Sequence, residues 1–215
     1  MEINKYIDHT NLNRKATEDE IEKLCKEAKE YKFASVCVHP YYVPLAAKHL
    51  KKSDVKVCTV IGFPLGMNTT ETKVFEAKDA IENGADEIDM VINVAALKDG
   101  KKYYVENDIR KVREATKHKI LKVIIEECCL TEDEIVTITH ICNECGVDFI
   151  KTSTGFDEHG ATMEAVHIIR ENKKEEIGIK ASGGIRDYET AMKFIDAGAT
   201  RIGTSSGIKI MEGEK

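Results

Sequence analysis

The sequence of 215 residues has no tryptophan, only three prolines and no apolar stretch long enough to cross a membrane. Its first ten residues are polar and lack the apolar centre of a secretion signal. Charge of one sign is not in large excess either, since 32 basic residues stand against 38 acidic ones, a net charge of −6. We therefore expect a cytoplasmic protein whose partner is neither nucleic acid nor a membrane.

Cysteine is too sparse for a disulfide scaffold. The chain has seven cysteines, an odd number, and the more natural interpretation is that they are reduced thiols. Cys142 and Cys145 form a CxxC pair, but it lies in a segment of helical pattern and no second pair follows at zinc-finger spacing. The histidines show no ligand spacing such as HxxxH, so no metal site is expected.

What the sequence does contain is a regular alternation of amphipathic helical segments and short β-branched runs. Eight units in this length fit a compact (β/α)8 TIM barrel, whereas a doubly wound sheet would need fewer strands. We expect residues 1–215 to form a single barrel domain. The predicted strands are 5–10 (the weakest), 35–40, 55–63, 87–93, 121–126, 149–154, 178–183 and 201–206.

The predicted helices open with capping signals. The segments at 17–20 and 131–134 both read TEDE, which places a threonine cap before acidic first-turn residues that the helix dipole favours. Because the sequence ends nine residues after Ser206, the eighth helix is expected to be short. The helices are predicted to begin at Thr17, Tyr41, Thr69, Gly100, Thr131, Ala161 and Asp187.

Four charged residues stand out within the predicted strands. A strand buried on both faces of a parallel sheet reads as a continuous apolar run, so a charge within it needs a reason. The four are Asp89, Lys122, Lys151 and Lys180. In a closed barrel one face of every strand points into the lumen, where side chains from several strands can meet.

Two of these lysines share a local frame. Lys151 and Lys180 both open the pattern Lys-x-Ser-x-Gly, at 151–155 and 180–184, in consecutive predicted strands. Neighbouring strands lie about 4.8 Å apart, so the two side chains are expected to approach each other in the lumen.

Two lysines in a dry site favour loss of a proton from one of them. An ordinary lysine, with a pKa of about 10.4, is protonated and cannot attack a carbonyl, but burial beside a like charge makes the neutral amine accessible. The alternative is structural: each lysine stem lines the core and its ammonium group pairs with a carboxylate such as Asp89 or Glu126. Glu126 itself is interpreted either as a second functional carboxylate or as the salt partner of Lys122.

The last strands end in clusters of glycine and hydroxyl residues at 153–155, 182–184 and 203–206. Backbone N–H groups, serine hydroxyls and helix N-termini form phosphate sites, and TIM barrels commonly carry one after strands seven and eight. The structural alternative is an ordinary strand-to-helix turn with a serine cap. The clusters point to a phosphate site that includes Thr154 and Gly203.

Several motifs together resemble those of deoxyribose-phosphate aldolases. They recur in the order known for that family from one end of the chain to the other, and KTSTGF with a later lysine before SGGIR is the most specific. The motifs are IDHTNL (7–12), VIGFPLG (60–66), EIDMVIN (87–93), LKVIIE (121–126), FIKTSTGF (149–156) and IKASGGIR (179–186).

The resemblance implies a metal-free class I aldolase that needs no cofactor and reversibly cleaves 2-deoxy-D-ribose 5-phosphate to D-glyceraldehyde 3-phosphate and acetaldehyde. It implies Lys151 as the Schiff-base nucleophile, Lys180 as the cation that activates it, and Asp89 as the acid and base that moves protons. It further implies a homo-oligomer, a dimer or a tetramer. The implied substrate contacts are Asp8, Cys37 and Lys122 around the sugar, and Gly155, Gly183, Gly184, Ser205 and Ser206 around the phosphate.

Two other functions remain open at this point. Another Schiff-base barrel enzyme, similar to transaldolases or keto-acid aldolases, would keep the strand lysine but use a different donor carbonyl. A non-catalytic barrel that only binds a sugar phosphate would use its lysines as phosphate or carboxylate partners.

Overall fold

The computed structural model describes residues 2–213 and shows a closed barrel of eight parallel strands. Each strand pairs with the next, and β8 returns to β1, where Asp8 lies opposite Gly203. All eight predicted strands are present, so the (β/α)8 barrel is confirmed and the doubly wound sheet is wrong. The strands are β1 (Ile7–Asn11), β2 (Ser35–Val38), β3 (Lys56–Ile61), β4 (Glu87–Val91), β5 (Ile120–Ile124), β6 (Phe149–Lys151), β7 (Gly178–Ser182) and β8 (Arg201–Thr204).

The helices surround the barrel, and each predicted start lies within two residues of the observed one. Thr17 and Thr131 form complete capping boxes with Glu20 and Glu134, as the two TEDE segments predict. In the described part of the chain, no helix is both long and apolar enough to span a membrane. The helices are α1 (Glu18–Tyr31), α2 (Val43–Leu50), α3 (Thr70–Glu82), α4 (Val94–Lys98), α5 (Lys102–Ala115), α6 (Glu132–Cys145), α7 (Met163–Asn172), α8 (Tyr188–Ala197) and α9 (Gly207–Glu212).

The apolar core lies between the strands and the helices, and the lumen of the barrel is largely polar. Strand β4 shows how the sequence separates the two: Ile88 and Met90 are buried in the core, while Glu87 and Asp89 face charged side chains from other strands. Alternation with a period of two therefore places charges inside the barrel without disturbing the apolar layer.

Candidate active site

Seven buried charged side chains from six strands meet in the lumen. None is more than 8% exposed, so each must find its partners within the protein. Neighbouring strands bring several of them into register, with Asp89 opposite Lys122 and Lys151 opposite Lys180. The seven are Asp8 of β1, Glu87 and Asp89 of β4, Lys122 of β5, Lys151 of β6, Lys180 of β7 and Arg201 of β8.

Asp89 is the centre of this network. Its Oδ1 accepts hydrogen bonds from Lys122 Nζ at 2.9 Å and from the Cys58 thiol at 3.1 Å. Its Oδ2 accepts from Lys151 Nζ at 3.0 Å and from Lys180 Nζ at 2.8 Å. A carboxylate with these four donors is held in one orientation beside two amines that it can serve as a proton acceptor.

Lys151 and Lys180 share one oxygen atom, Asp89 Oδ2. Their two nitrogens therefore lie within about 6 Å of each other, close enough for strong repulsion if both are charged. The expected proximity of the two lysines is confirmed. Both lysines also contact a carboxylate, as the structural alternative requires. The same geometry therefore fits a lysine pair in which one amine is neutral and a pair of lysines held by Asp89.

A second group of contacts closes the network across the seam between β8 and β1. Arg201 donates to Asp8 Oδ1 at 3.0 Å and to both carboxylate oxygens of Glu87, at 2.6 and 2.7 Å. Asp8 Oδ2 lies 2.6 Å from Lys180 Nζ. Sequence reasoning missed Glu87 and Arg201, although Glu87 precedes Asp89 by two residues and alternation would have placed both on the same face.

The charges of the network fix the protonation of most of its members. Burial alone would raise the pKa of Asp89, but Lys122, Lys151 and Lys180 lower it well below its usual range. Asp8 behaves in the same way: burial raises its pKa, and the nearby cations, Arg201 first among them, outweigh that effect and lower it. Both residues are therefore carboxylates at neutral pH.

The buried lysines beside these carboxylates hold their protons. Burial would lower the pKa of Lys180, but Asp8 and Asp89 raise it above its ordinary value. Burial acts in the same direction on Lys122, where Asp89 is the strongest of the anions that raise its pKa. Lys180 and Lys122 are therefore cations, and they stay so well above neutral pH.

An open cavity of about 970 Å³ lies above the network at the carboxyl ends of the strands. Lys151 is the member of the network that lines it, and the proposed phosphate residues surround the same space. The structure thus brings together the predicted nucleophile and all the predicted phosphate contacts. The lining residues from the prediction are Lys151, Thr154, Gly155, Gly183, Gly184, Gly203, Ser205 and Ser206.

Glycine is required at one point of this cavity in particular. Gly183 has φ +88, and a Cβ atom there would lie 2.7 Å from the Cα atom of Gly160 in the neighbouring loop. No side chain fits between the two backbones. The loops after β6 and β7 therefore pack directly against each other, which keeps backbone groups accessible to a ligand.

Glu126 does not pair with Lys122, so that interpretation is wrong. The residue after it begins a short 3-10 helix, Glu127–Cys129, and Glu126 itself has φ +50. This turn directs its carboxylate to the backbone N–H of Thr154, at 2.9 Å, and to the Thr154 hydroxyl. Lys122 is instead occupied by Glu87 at 2.5 Å and by Asp89. Glu126 thus orders the loop that follows Lys151.

The other predicted sugar contacts lie beneath the cavity rather than on its wall. Asp8, Lys122 and Cys37 are fully buried. Cys37 lies beside Cys58, and a hydrogen bond between the two thiols lowers the pKa of Cys37 while burial raises it. Asp8, Lys122 and Cys37 thus form the floor of the network below Lys151.

The lumen also contains ligand types that metals bind, but cations already fill these positions. Cys58 forms one group of possible ligands with Cys37 and Asp89, and a second group with Asp8 and Glu87. Lys122 Nζ lies 3.3 Å from the Cys58 sulfur, 2.5 Å from Glu87 and 2.9 Å from Asp89. An ammonium group thus takes the place that a metal ion would need.

A closed parallel barrel that carries buried lysines to the floor of an open cavity belongs to a recognisable class, the barrel enzymes equipped for amine chemistry. A family model described as DeoC/LacD family aldolase matches residues 3–213. The chain belongs to this family.

Relatives of known name agree over the whole chain. The deoxyribose-phosphate aldolase of Clostridium tetani is 59% identical over 216 residues, which cover 100% of both chains. That of Streptococcus gordonii is 59% identical over 100% of this chain and 97% of its own. The tetrameric deoxyribose phosphate aldolase from Aeropyrum pernix is similar in structure, with a TM-score of 0.91 and 33% identity over 98% of this chain and 89% of that one.

Proposed function

We propose that this protein is a class I aldolase that reversibly cleaves 2-deoxy-D-ribose 5-phosphate to D-glyceraldehyde 3-phosphate and acetaldehyde, with Lys151 as the Schiff-base residue. The observation that carries the proposal is the balance of charge in the lumen network. Four of its seven side chains are basic and three are acidic, which leaves one cation in excess. The basic side chains are Lys122, Lys151, Lys180 and Arg201, and the acidic ones are Asp8, Glu87 and Asp89.

The contacts indicate which cation gives up its proton. Lys180 contacts two carboxylates, Asp8 at 2.6 Å and Asp89 at 2.8 Å, and Lys122 also contacts two. Lys151 contacts Asp89 alone, through an oxygen that it shares with Lys180. Its ammonium form is thus the least compensated of the three, while a neutral amine still donates the same hydrogen bond. Lys151 also lines the cavity, so it is the amine that a substrate can reach.

The reaction then follows from amine chemistry. The neutral Lys151 nitrogen adds to the C1 aldehyde carbon of the open-chain sugar, and loss of water gives an iminium ion. Removal of the C3 hydroxyl proton breaks the C2–C3 bond, whose electrons pass to the iminium nitrogen. This step releases glyceraldehyde 3-phosphate and leaves an enamine. Protonation of the enamine at C2 and hydrolysis return acetaldehyde and the free amine.

Asp89 and Lys180 are placed to move the protons in these steps. The low pKa of Asp89 means that it is ionised in the resting enzyme, and the raised pKa of Lys180 means that its neighbour carries a proton. The Oδ2 atom of Asp89 touches both lysines, so a proton can pass through this oxygen between substrate and network. We assign Asp89 as the acid and base, and Lys180 as the activating cation.

The phosphate group is assigned to the far side of the cavity, against the loops after β6, β7 and β8. The predicted contacts there are backbone N–H groups and hydroxyls, which bind phosphate without adding a cation to the lumen. Asp8, Lys122 and Cys37 form the floor below the sugar. The assigned phosphate residues are Thr154, Gly155, Gly183, Gly184, Gly203, Ser205 and Ser206.

Reductive trapping tests the nucleophile. Incubation with acetaldehyde or 2-deoxyribose 5-phosphate and borohydride should add a stable mass to the peptide that contains Lys151. In Lys151→Leu both the label and the turnover should be lost, while Lys98→Leu, at an exposed position on α4, should retain both. A wild-type enzyme that turns over but carries no label, or carries it on another lysine, would refute the assignment. Labelling by pyruvate or dihydroxyacetone in place of acetaldehyde would instead indicate a different donor.

We further propose that the chain works as a homo-oligomer, a dimer or a tetramer, in the cytoplasm, with residues 1–215 as one barrel domain. The tetrameric relative from Aeropyrum pernix supports association, and large apolar side chains that an interface could cover are at least 70% exposed at Tyr41, Leu65, Phe75 and Tyr103. Seven free thiols are in keeping with a reducing compartment. Light scattering coupled to size exclusion should give a mass of two or four chains, and a monomer at micromolar concentration would contradict the proposal.

A further inference from the structure

Two adjacent cysteines and an aspartate form a compact cluster outside the lumen. Cys128 and Cys129 belong to the short 3-10 helix that follows β5, and Asp157 lies in the loop after β6. Their ligand atoms all lie within 4.8 Å of one another, although 28 residues separate Cys129 from Asp157 along the chain. The two cysteines are partly exposed and Asp157 is exposed, so the cluster is accessible from solvent.

The distances within this cluster are those of a tetrahedral thiolate site. The Cys128 and Cys129 sulfurs are 4.0 Å apart, and the Cys129 sulfur is 3.5 Å from Asp157 Oδ2. In tetrahedral coordination, with Zn–S about 2.3 Å and Zn–O about 2.0 Å, two sulfurs lie about 3.8 Å apart and sulfur and oxygen about 3.5 Å apart. Two of the three distances thus match a tetrahedral site, and the third, between Cys128 and Asp157, is at most 4.8 Å.

We propose that Cys128, Cys129 and Asp157 bind a thiophilic divalent cation of the Zn²⁺ or Cd²⁺ type, with water at the fourth position. Each thiol gives up its proton when its sulfur binds, so two protons are released for each ion bound. Because thiolates are soft ligands, the site should prefer a thiophilic cation to Mg²⁺ or Ca²⁺, which bind oxygen ligands.

The other cysteines do not offer such a site. On α6, Cys142 is fully buried and Cys145 is 6% exposed. The CxxC motif that stands out in the sequence is thus embedded in the core. The accessible pair, Cys128 and Cys129, becomes a candidate site only because the fold brings Asp157 to it.

The ion would join two loops at the same end of the barrel as the cavity. Glu127 already connects these loops, since its Oε1 accepts from the backbone N–H of Thr162 at 2.7 Å. Bound metal adds a second bridge, from the 3-10 helix to Asp157, two residues after Gly155. We therefore expect the loop 155–161 to become more ordered when the ion binds. The site does not depend on the aldolase activity and takes no part in the reaction steps above.

A competition experiment tests the site directly. The reduced wild-type protein, freed of metal, is titrated with Zn²⁺ against a chromophoric chelator, and with Cd²⁺ while the thiolate-to-metal ultraviolet absorption is recorded. Both titrations, the chelator competition with Zn²⁺ and the ultraviolet absorption with Cd²⁺, should show one equivalent of metal bound to the protein. Asp157→Asn should weaken binding by at least about tenfold and Cys129→Ser by at least about a hundredfold, because loss of a group that only orients a ligand already costs about 10- to 100-fold. The matched control Glu158→Gln removes the neighbouring exposed carboxylate and should bind as the wild type does.

Amide hydrogen exchange gives a second, independent measurement. Zn²⁺ should slow exchange in 155–161 of the wild type and leave it unchanged in Asp157→Asn. The circular dichroism of each variant shows whether it is folded, so a misfolded protein is not mistaken for one that has lost its site. The proposal is overturned if the reduced wild type binds no equivalent, if Asp157→Asn binds as tightly as the wild type, or if exchange in the loop is unaffected.

Discussion

Replacing Lys180 by methionine separates the two roles assigned to this residue. Methionine keeps an unbranched stem of similar length and removes the charge, so the lumen network then has three cations and three carboxylates. Lys151 no longer shares Asp89 Oδ2 with a second ammonium group. The reason for Lys151 to be neutral disappears, and it becomes the ordinary ion-pair partner of Asp89.

The size of this effect can be worked from the geometry. Two unit charges about 6 Å apart repel by about 3 kcal/mol at an effective dielectric constant of about 20. Since about 1.4 kcal/mol corresponds to one pH unit, loss of this repulsion favours the protonated amine by about a hundredfold. The cleavage rate of Lys180→Met at neutral pH should therefore fall at least a hundredfold, and the rising limb of its pH profile should lie at higher pH than that of the wild type.

The assay is kcat/KM for cleavage of 2-deoxyribose 5-phosphate across the pH range in which both proteins stay folded. The matched control is Lys73→Met, because Lys73 is equally buried and paired with Asp108 at 2.6 Å, but lies on α3 outside the lumen. The control protein should be less stable than the wild type, but the rising limb of its pH profile should stay at the wild-type position. If Lys180→Met has a lower maximal kcat/KM but the rising limb of its pH profile coincides with that of the wild type, Lys180 acts only as a proton donor. The idea that its charge makes Lys151 neutral is then refuted.

Two further predictions concern the floor of the network and the phosphate loops. Because nearby cations hold the pKa of Asp8 below its unfolded value of about 4, its ion pairs stabilise the fold above that pH. Urea unfolding at a series of pH values should show a constant gap between wild type and Asp8→Asn down to about pH 4, shrinking below it; a gap that already closes near pH 6 would contradict this. Gly183→Ala should raise KM for the phosphorylated substrate about tenfold or more, because its Cβ meets Gly160. Gly146→Ala, with φ +61 but open space around it, should cost about 1 kcal/mol of stability and leave KM unchanged, and equal KM values in the two variants would show that the close approach is unimportant.

The barrel is readable from the sequence because its cues are local. Strands buried on both faces give continuous β-branched runs, and threonine caps such as Thr17 and Thr131 mark where helices begin. Helix α4, Val94–Lys98, was not predicted, because five residues are too few to show a helical period. Its cap, Asn93, was assigned instead to the end of the preceding strand.

The candidate site was only partly readable, since its contacts join distant parts of the chain. Lys151 and Lys180 were found through their matching frames, which is a local signal. Arg201 begins its strand, where a polar residue is unremarkable, and its contact with Asp8 spans 193 residues. A contact that forms only because the barrel closes leaves no local signal in the sequence.

In the proposed mechanism, which lysine loses its proton depends on Asp8, a residue that the sequence indicates only as a sugar contact. A count restricted to Lys151, Lys180 and Asp89 gives two cations and one carboxylate, so it predicts one neutral amine but leaves both lysines equivalent. Asp8 breaks the equivalence, because it adds a second carboxylate to Lys180 and none to Lys151. Arg201 binds the other oxygen of Asp8, Oδ1, together with Glu87, and leaves Asp8 Oδ2 at 2.6 Å from Lys180. In the proposed mechanism β1, three strands along the barrel from β6, thus decides which lysine reacts, because its Asp8 stabilises the charged Lys180 rather than Lys151.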